Sequence, residues 1–205
     1  MPSSWDDARL AYAEASACFV DTAALVGDRW EEPGLGEWDV RALVGHTSRS
    51  FVTVESYLAQ PAKAVAVGST ADYYRATREM AATGAGVAER GREAGRALGQ
   101  DPLSSVSALA TRVLELVGTT DGTELLTTIA GGMRLSDYLP TRTFELVVHT
   151  LDLGRAIDVA VDVPALPAAT VLGLVSELAI GDGLAGPLVL AATGRGGLPD
   201  GFTVL

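Results

Sequence analysis

Residues 142–156, RTFELVVHTLDLGRA, set three ionisable side chains into an otherwise apolar helical pattern, and this stretch limits most strongly what the chain can fold into. At about 100° per residue, Glu145 and His149 stand about 40° apart around a helix axis, with Asp152 about 20° to the other side of Glu145. The three therefore share one narrow stripe. Phe144, Leu146, Val147, Val148, Leu151, Leu153 and Ile157 cover most of the remaining circumference. A helix apolar on nearly every side is a core helix. Its polar stripe must then pair, neutralise or bind a metal ion, because unpartnered charge in a core is too costly to keep.

The rest of the chain supplies helices to surround it. An alanine-rich pattern with Leu10, Phe19, Val20 and Leu25 predicts a helix over about residues 4–26, capped by Ser3 or Ser4 and ended by Gly27. Asp39 caps a second helix running to about residue 60, where Pro61 stops it. This helix carries His46, and Ser50, Thr53 and Tyr57 fall near the same face. A third helix is expected over residues 72–98. Its glycines, Gly84, Gly86, Gly91 and Gly95, read as tolerated in a weak surface helix in preference to a close helix contact. Asp101 and Pro102 open a fourth helix to about residue 117. TELLTTIAGGMRL alternates and predicts a small hairpin about a Gly-Gly turn, after which Ser136 or Asp137 caps the long helix with Pro140 in its first turn. Residues 166–180 read as another apolar helix, and residues 188–205 as a terminal hairpin. The expected fold is a single all-α domain, an up-down four-helix bundle with short extra helices and a minor β component.

Charge and motifs exclude several functions. Within 205 residues the net charge is −11, which disfavours nucleic acid and anionic membranes as partners. The lone Cys18 rules out an intrachain disulfide or a cysteine-based zinc finger, and its apolar neighbours suggest an inert packed thiol. An acidic start and the lack of a membrane-length apolar run make the cytoplasm the expected location. Residues 181–186 spell GxGxxG, but a helix precedes them and Pro187 follows, so they read as a loop and not as a nucleotide site.

The stripe itself has two readings. In one, His46, Glu145 and His149 hold a divalent metal, two ligands one turn apart on one helix and the third from a neighbour, with Asp152 orienting an imidazole. Nitrogen and oxygen donors favour Zn2+ and admit Ni2+, Fe2+ or Mn2+. Affinity should then fall as pH drops through about 6.5, the ordinary histidine value. In the other reading, each histidine is hydrogen-bonded inside the bundle and Glu145 pairs with Arg142 or Arg155. The chain has only two histidines, and both sit in the middle of apolar helices, which favours the metal.

EWDVRALVGHTSRS (residues 37–50), RTFELVVHTLDLGRA and, more weakly, LAATGRGGLPDGFTVL (residues 190–205) resemble the DinB-like metalloenzyme superfamily, in particular its branch typified by mycothiol-dependent maleylpyruvate isomerase. The resemblance implies a four-helix bundle with a divalent metal on the matching positions His46, Glu145 and His149. It also implies a low-molecular-weight thiol cosubstrate, mycothiol or else bacillithiol or glutathione, in a transferase or isomerase acting on a small electrophile. On the pattern of residues, Tyr57 or Ser50 would orient the second reactant and Asp152 would accept a proton. The alternative is a non-catalytic, metal-stabilised bundle that binds a small molecule or a protein; a homodimer is compatible with either. Two departures stand out. Ala42 replaces an acidic residue common in the family, leaving the capping box begun by Asp39 incomplete. The family's larger C-terminal domain, with its substrate-binding arginine, has only the short stretch around Arg195 in its place.

Overall fold

Short polar side chains at helix starts fix much of the architecture. In the computed structural model, which describes residues 4–82 and 86–205, Ser4 opens helix α1 (Trp5–Ala24) through a reciprocal capping box. Its hydroxyl accepts from Asp7 N at 3.1 Å, and the Asp7 carboxylate accepts from Ser4 N at 3.2 Å. Ser3, the other expected cap, lies outside the described residues. Asp39 caps α2 (Val40–Leu58) by accepting from Ala42 N at 2.7 Å, and Asp101 caps α5 (Pro102–Gly118), with Pro102 in its first turn. A one-turn 3-10 helix covers Arg29–Glu31.

Helices α1, α2, α5 and α6 (Leu135–Ala156) form the bundle, with α1 and α2 each packed on both α5 and α6. Tyr12 and Phe19 of α1 meet Phe51 of α2 across the centre, both at ring distances of 6.2 Å. Leu43, Val113, Leu139, Leu146 and Leu153 complete a fully buried apolar interior. Between α5 and α6 lies the antiparallel hairpin of β1 (Leu125–Thr128) and β2 (Gly131–Arg134). The expected all-α bundle with a minor hairpin is the observed fold. No helix among the described residues is long and apolar enough to cross a membrane.

Several local expectations are corrected. The single helix over residues 72–98 is two, α3 (Thr70–Ala82) and α4 (Val87–Ala97), with Gly86 in the left-handed region at φ 76°. Gly84 lies outside the described residues. Gly91 and Gly95 are not merely tolerated. A Cβ on Gly95 would press the backbone of Arg41 and Ala42, one on Gly45 would overlap Ala94 and Gly95, and one on Gly91 would enter the Trp38 ring. The glycines let α4 lie directly against α2.

In the hairpin, Gly131 and Gly132 stand in β2 and not at the turn, because Gly132 runs hard against Ala64 and its carbonyl accepts from Ala66 N and Val67 N. Helix α6 begins at Leu135, before the expected caps. The carbonyls of Glu124 and Gly122 take up the N–H groups of Leu135 and Ser136, so no side-chain cap is needed and Pro140 falls in the second turn.

The expected C-terminal hairpin is absent. After α7 (Ala165–Gly181), the GxGxxG segment forms a turn into α8 (Ala185–Ala192), and residues 193–205 form no strand. Their hold on the bundle is local: Val204 is buried, and its carbonyl accepts from Arg78 at 3.1 Å.

Candidate metal centre

Glu145 and His149 are one turn apart on α6, and the bundle brings His46 of α2 against them. One ligand atom from each of the three lies within 4.8 Å of the other two. Nε2 of His149 is 3.4 Å from Oε2 of Glu145, and the His46 and His149 rings meet edge to face at 4.9 Å. The pairing of Glu145 with Arg142 or Arg155 is not what forms: its ion-pair partner is His149, and its hydrogen-bond donor is the hydroxyl of Tyr74, 2.9 Å from Oε1. Asp152 Oδ2 lies 3.1 Å from His149 Nδ1, which directs the other ring nitrogen at the triad.

The electrostatics separate the two histidines. Burial pushes His46 down to about 4, helped by the charge of His149, so it is a neutral ring with lone pairs to offer. For His149, burial acts in the same direction but is outweighed by hydrogen bonds to Asp152 and Glu145, which lift it to about 9. Burial would raise Glu145, yet its contacts with His149, Arg142 and Tyr74 bring it down to about 2. Tyr74 is pushed well above the usual phenol range by burial and by the Glu145 charge, so its hydroxyl stays a donor.

The donor set fits a divalent cation. Two imidazoles and a carboxylate are a three-ligand set that leaves a position open. His46 Nδ1 is moreover buried without a hydrogen-bond partner, in a ring stacked at 4.5 Å on Trp38. Trp38 is held in turn by its Nε1–H, which donates to Ala88 O at 2.9 Å, and by Gly91 beneath its ring.

His46 and Glu145 form part of the wall of a cavity of about 890 Å³. Ser50, Thr53 and Tyr57 line it from α2, Tyr73 and Tyr74 from α3, and Tyr138 and Arg142 from α6. Of the residues expected to act on a reactant, Ser50 and Tyr57 therefore face this space, whereas Asp152 stands at the far nitrogen of His149, outside the lining. Arg195 also lies elsewhere, exposed in the tail with its guanidinium on Thr193 O. Cys18 lines a different pocket beside Asp21 and Asp162, and burial, followed by the Asp21 charge, raises its thiol.

Sequence reasoning missed Tyr74, Trp38 and the cavity role of Arg142. Tyr74 sits in a polar helix whose own pattern gives no sign that it meets α6. Trp38 precedes its helix, and only the glycine spacing of α4 hinted that something large packs there. For Arg142 the sequence suggests only an ion pair with Glu145. Its guanidinium instead stacks over Tyr138 at 5.0 Å and Tyr73 at 5.7 Å, with Nε donating to Thr141 Oγ1 at 2.9 Å.

A family model described as "Mycothiol maleylpyruvate isomerase N-terminal domain" matches residues 12–154, a span that contains all three triad residues and Asp152. No curated protein and no solved structure gives a match.

Proposed function

The chain belongs to the mycothiol maleylpyruvate isomerase N-terminal domain family, within the DinB-like superfamily, and from that premise we propose a divalent-metal-dependent enzyme that uses a low-molecular-weight thiol of the mycothiol type on a small electrophile, by S-transfer or isomerisation. The observation that carries the reading is the His46–Glu145–His149 cluster, its ligand atoms within 4.8 Å, with His46 and Glu145 in the wall of a cavity of about 890 Å³. Zinc is the ion proposed, by ligand type. A divalent ion held there supplies the charge that keeps an incoming thiol as its nucleophilic thiolate.

The protein's own groups do the rest. Asp152 holds the His149 ring in orientation, a role that its place outside the cavity favours over proton acceptance from a reactant. Ser50 and Tyr57 offer hydroxyls on the wall where the second reactant would lie. Arg142, together with Arg49 on the same wall, suits an electrophile that carries negative charge. Glu145 is the one acidic side chain among the described lining residues, in a chain whose net charge is −11. A non-catalytic, metal-stabilised bundle that binds a small anion would use the same triad and cavity, and it differs from the enzyme in showing binding without turnover in the assay below.

The test is to load the protein with zinc, titrate in mycothiol, bacillithiol or glutathione, and follow thiol transfer or isomerisation on anionic electrophiles. Activity should be lost in His149→Ala and kept in Cys18→Ala. Loss with Cys18 and survival in His149→Ala would replace this chemistry with an enzyme-borne thiol.

A further inference from the structure

The two oxygens of Glu145 have different neighbours. Oε2 faces His149 Nε2 at 3.4 Å, inside the triad, whereas Oε1 accepts from the Tyr74 hydroxyl at 2.9 Å. Tyr74 belongs to α3, a helix that supplies none of the three candidate ligands. Its side chain is held in place: the residue is 8% exposed, and its ring packs edge-on against Phe144 at 5.2 Å and Tyr73 at 5.7 Å. Besides Glu145, the hydroxyl lies within reach of Thr141 O at 3.2 Å, and both of these groups are acceptors. A phenol has one proton to give, and an ionised carboxylate takes it in preference to a neutral carbonyl.

We propose that Tyr74 is a positioning residue of the metal centre, which by donating to Oε1 reserves Oε2 as the single oxygen that Glu145 offers the ion. The terminal torsion of a glutamate is broad and nearly two-fold, so without a donor on one oxygen the carboxylate can present either or both. Tyr74 removes that freedom. The position a second carboxylate oxygen would occupy then stays available to a reactant in the cavity, whose wall includes Tyr74 itself. The assignment rests on the metal-dependent reading above, and it concerns binding, so it can be tested without turnover.

Tyr74→Phe removes the hydroxyl and keeps the packed ring; Tyr73→Phe, an equally buried neighbour with no hydrogen bond to Glu145, is the control. Zinc affinity is measured by chelator competition, and the visible absorption of the cobalt-substituted protein reports the coordination. Tyr74→Phe should bind zinc about 10–100-fold more weakly, the usual cost of losing a group that orients a ligand. Its cobalt bands should weaken and shift as Glu145 engages through both oxygens, while Tyr73→Phe matches wild type. A wild type that takes up neither ion overturns the metal reading and this assignment together. If the wild type binds both ions and Tyr74→Phe equals it in affinity and in spectrum, only the role of Tyr74 falls.

Discussion

Nε2 of His149 lies 3.4 Å from Oε2 of Glu145, while Nδ1 of the same ring lies 3.1 Å from Asp152, so one imidazole is held between two carboxylates of its own helix. In the metal-free protein that ring keeps its proton up to about pH 9. Metal uptake at neutral pH must displace this proton, whereas His46, lowered to about 4, and Glu145, lowered to about 2, are already in their ligating forms. Zinc affinity should therefore rise about tenfold per pH unit from neutrality towards 9 and then level off, with close to one proton released per ion bound. Chelator competition across that range, with calorimetry in buffers of different ionisation enthalpy, checks both. A break near 6.5, as an unperturbed histidine would give, is the outcome that contradicts the ion pair.

Stability of the metal-free protein should follow the same groups in a definite direction. His149 is raised from 6.5 to about 9 on folding, so its contribution is complete below 6.5 and is lost as pH rises through 9. His46 is lowered from 6.5 to about 4, so its contribution is complete above 6.5 and is lost as pH falls through 4. Thermal midpoints recorded with a chelator present should peak near 6.5 and decline on both sides. A midpoint that keeps rising from 6.5 to 9 would contradict the assignment for His149.

Replacing Asp152 by asparagine keeps an oxygen near His149 Nδ1 and removes the charge. We expect zinc affinity to fall about tenfold or more, because the carboxylate both orients the ring and raises its basicity. The break in affinity against pH should move below 9 in the same variant. An unchanged affinity and an unchanged break would mean that Asp152 only fills space.

How much of this was legible in the sequence depends on whether a signal lay within one element or between two. Glu145, His149 and Asp152 share a helix, so 3.6-residue periodicity alone placed them on one stripe. The caps at Ser4, Asp39 and Asp101 were legible for the same reason, since a cap acts within three residues. The contact of Tyr74 with Glu145 spans 71 residues and depends on how α3 leans on α6, which no local pattern encodes. The glycines of α4 fall between these cases. Their spacing was visible, but the close packing depends on Trp38 and Gly45, which meet them in space from far away in the sequence. The tail after α7 misled because its apolar runs around Gly194 and Pro199 suit a hairpin as well as a short helix followed by an extended end.

Gly45→Ala tests that close packing. The added methyl would overlap the backbone of Ala94 and Gly95, which cannot swing away as a side-chain tip would. Helices α2 and α4 must separate, and overpacking of this kind costs about 1–3 kcal/mol. Because Gly45 precedes His46, and Trp38 stacks on that ring against Gly91, zinc affinity should fall together with the thermal midpoint. Denaturation of the metal-free form and chelator competition report the two effects separately. A variant as stable as wild type would show that the two helices are not held at the observed distance.

Arg142 carries the last prediction, which concerns the charge of the electrophile. Its guanidinium lies over Tyr138 and Tyr73, whose own rings meet edge to face at 5.8 Å; it donates to Thr141 and to the Tyr73 hydroxyl, makes no ion pair within 4 Å among the described residues, and stands on the cavity wall. Burial works against its charge but is outweighed by Tyr138, Glu145 and the other tyrosines, so the group stays cationic across the working pH range. A hydrogen bond to a charged group is worth about 1.5–3 kcal/mol, which corresponds to roughly 10–100-fold in KM. Arg142→Gln should raise KM by that factor for an electrophile bearing a carboxylate and leave a neutral analogue unaffected. Metal content should not decrease, because removing a positive charge beside a cation site does not weaken it electrostatically. Steady-state kinetics on a charged and uncharged pair, with elemental analysis of the same preparation, decide the matter. Equal losses on both substrates would place Arg142 among the groups that merely hold Tyr138 and Tyr73 in position.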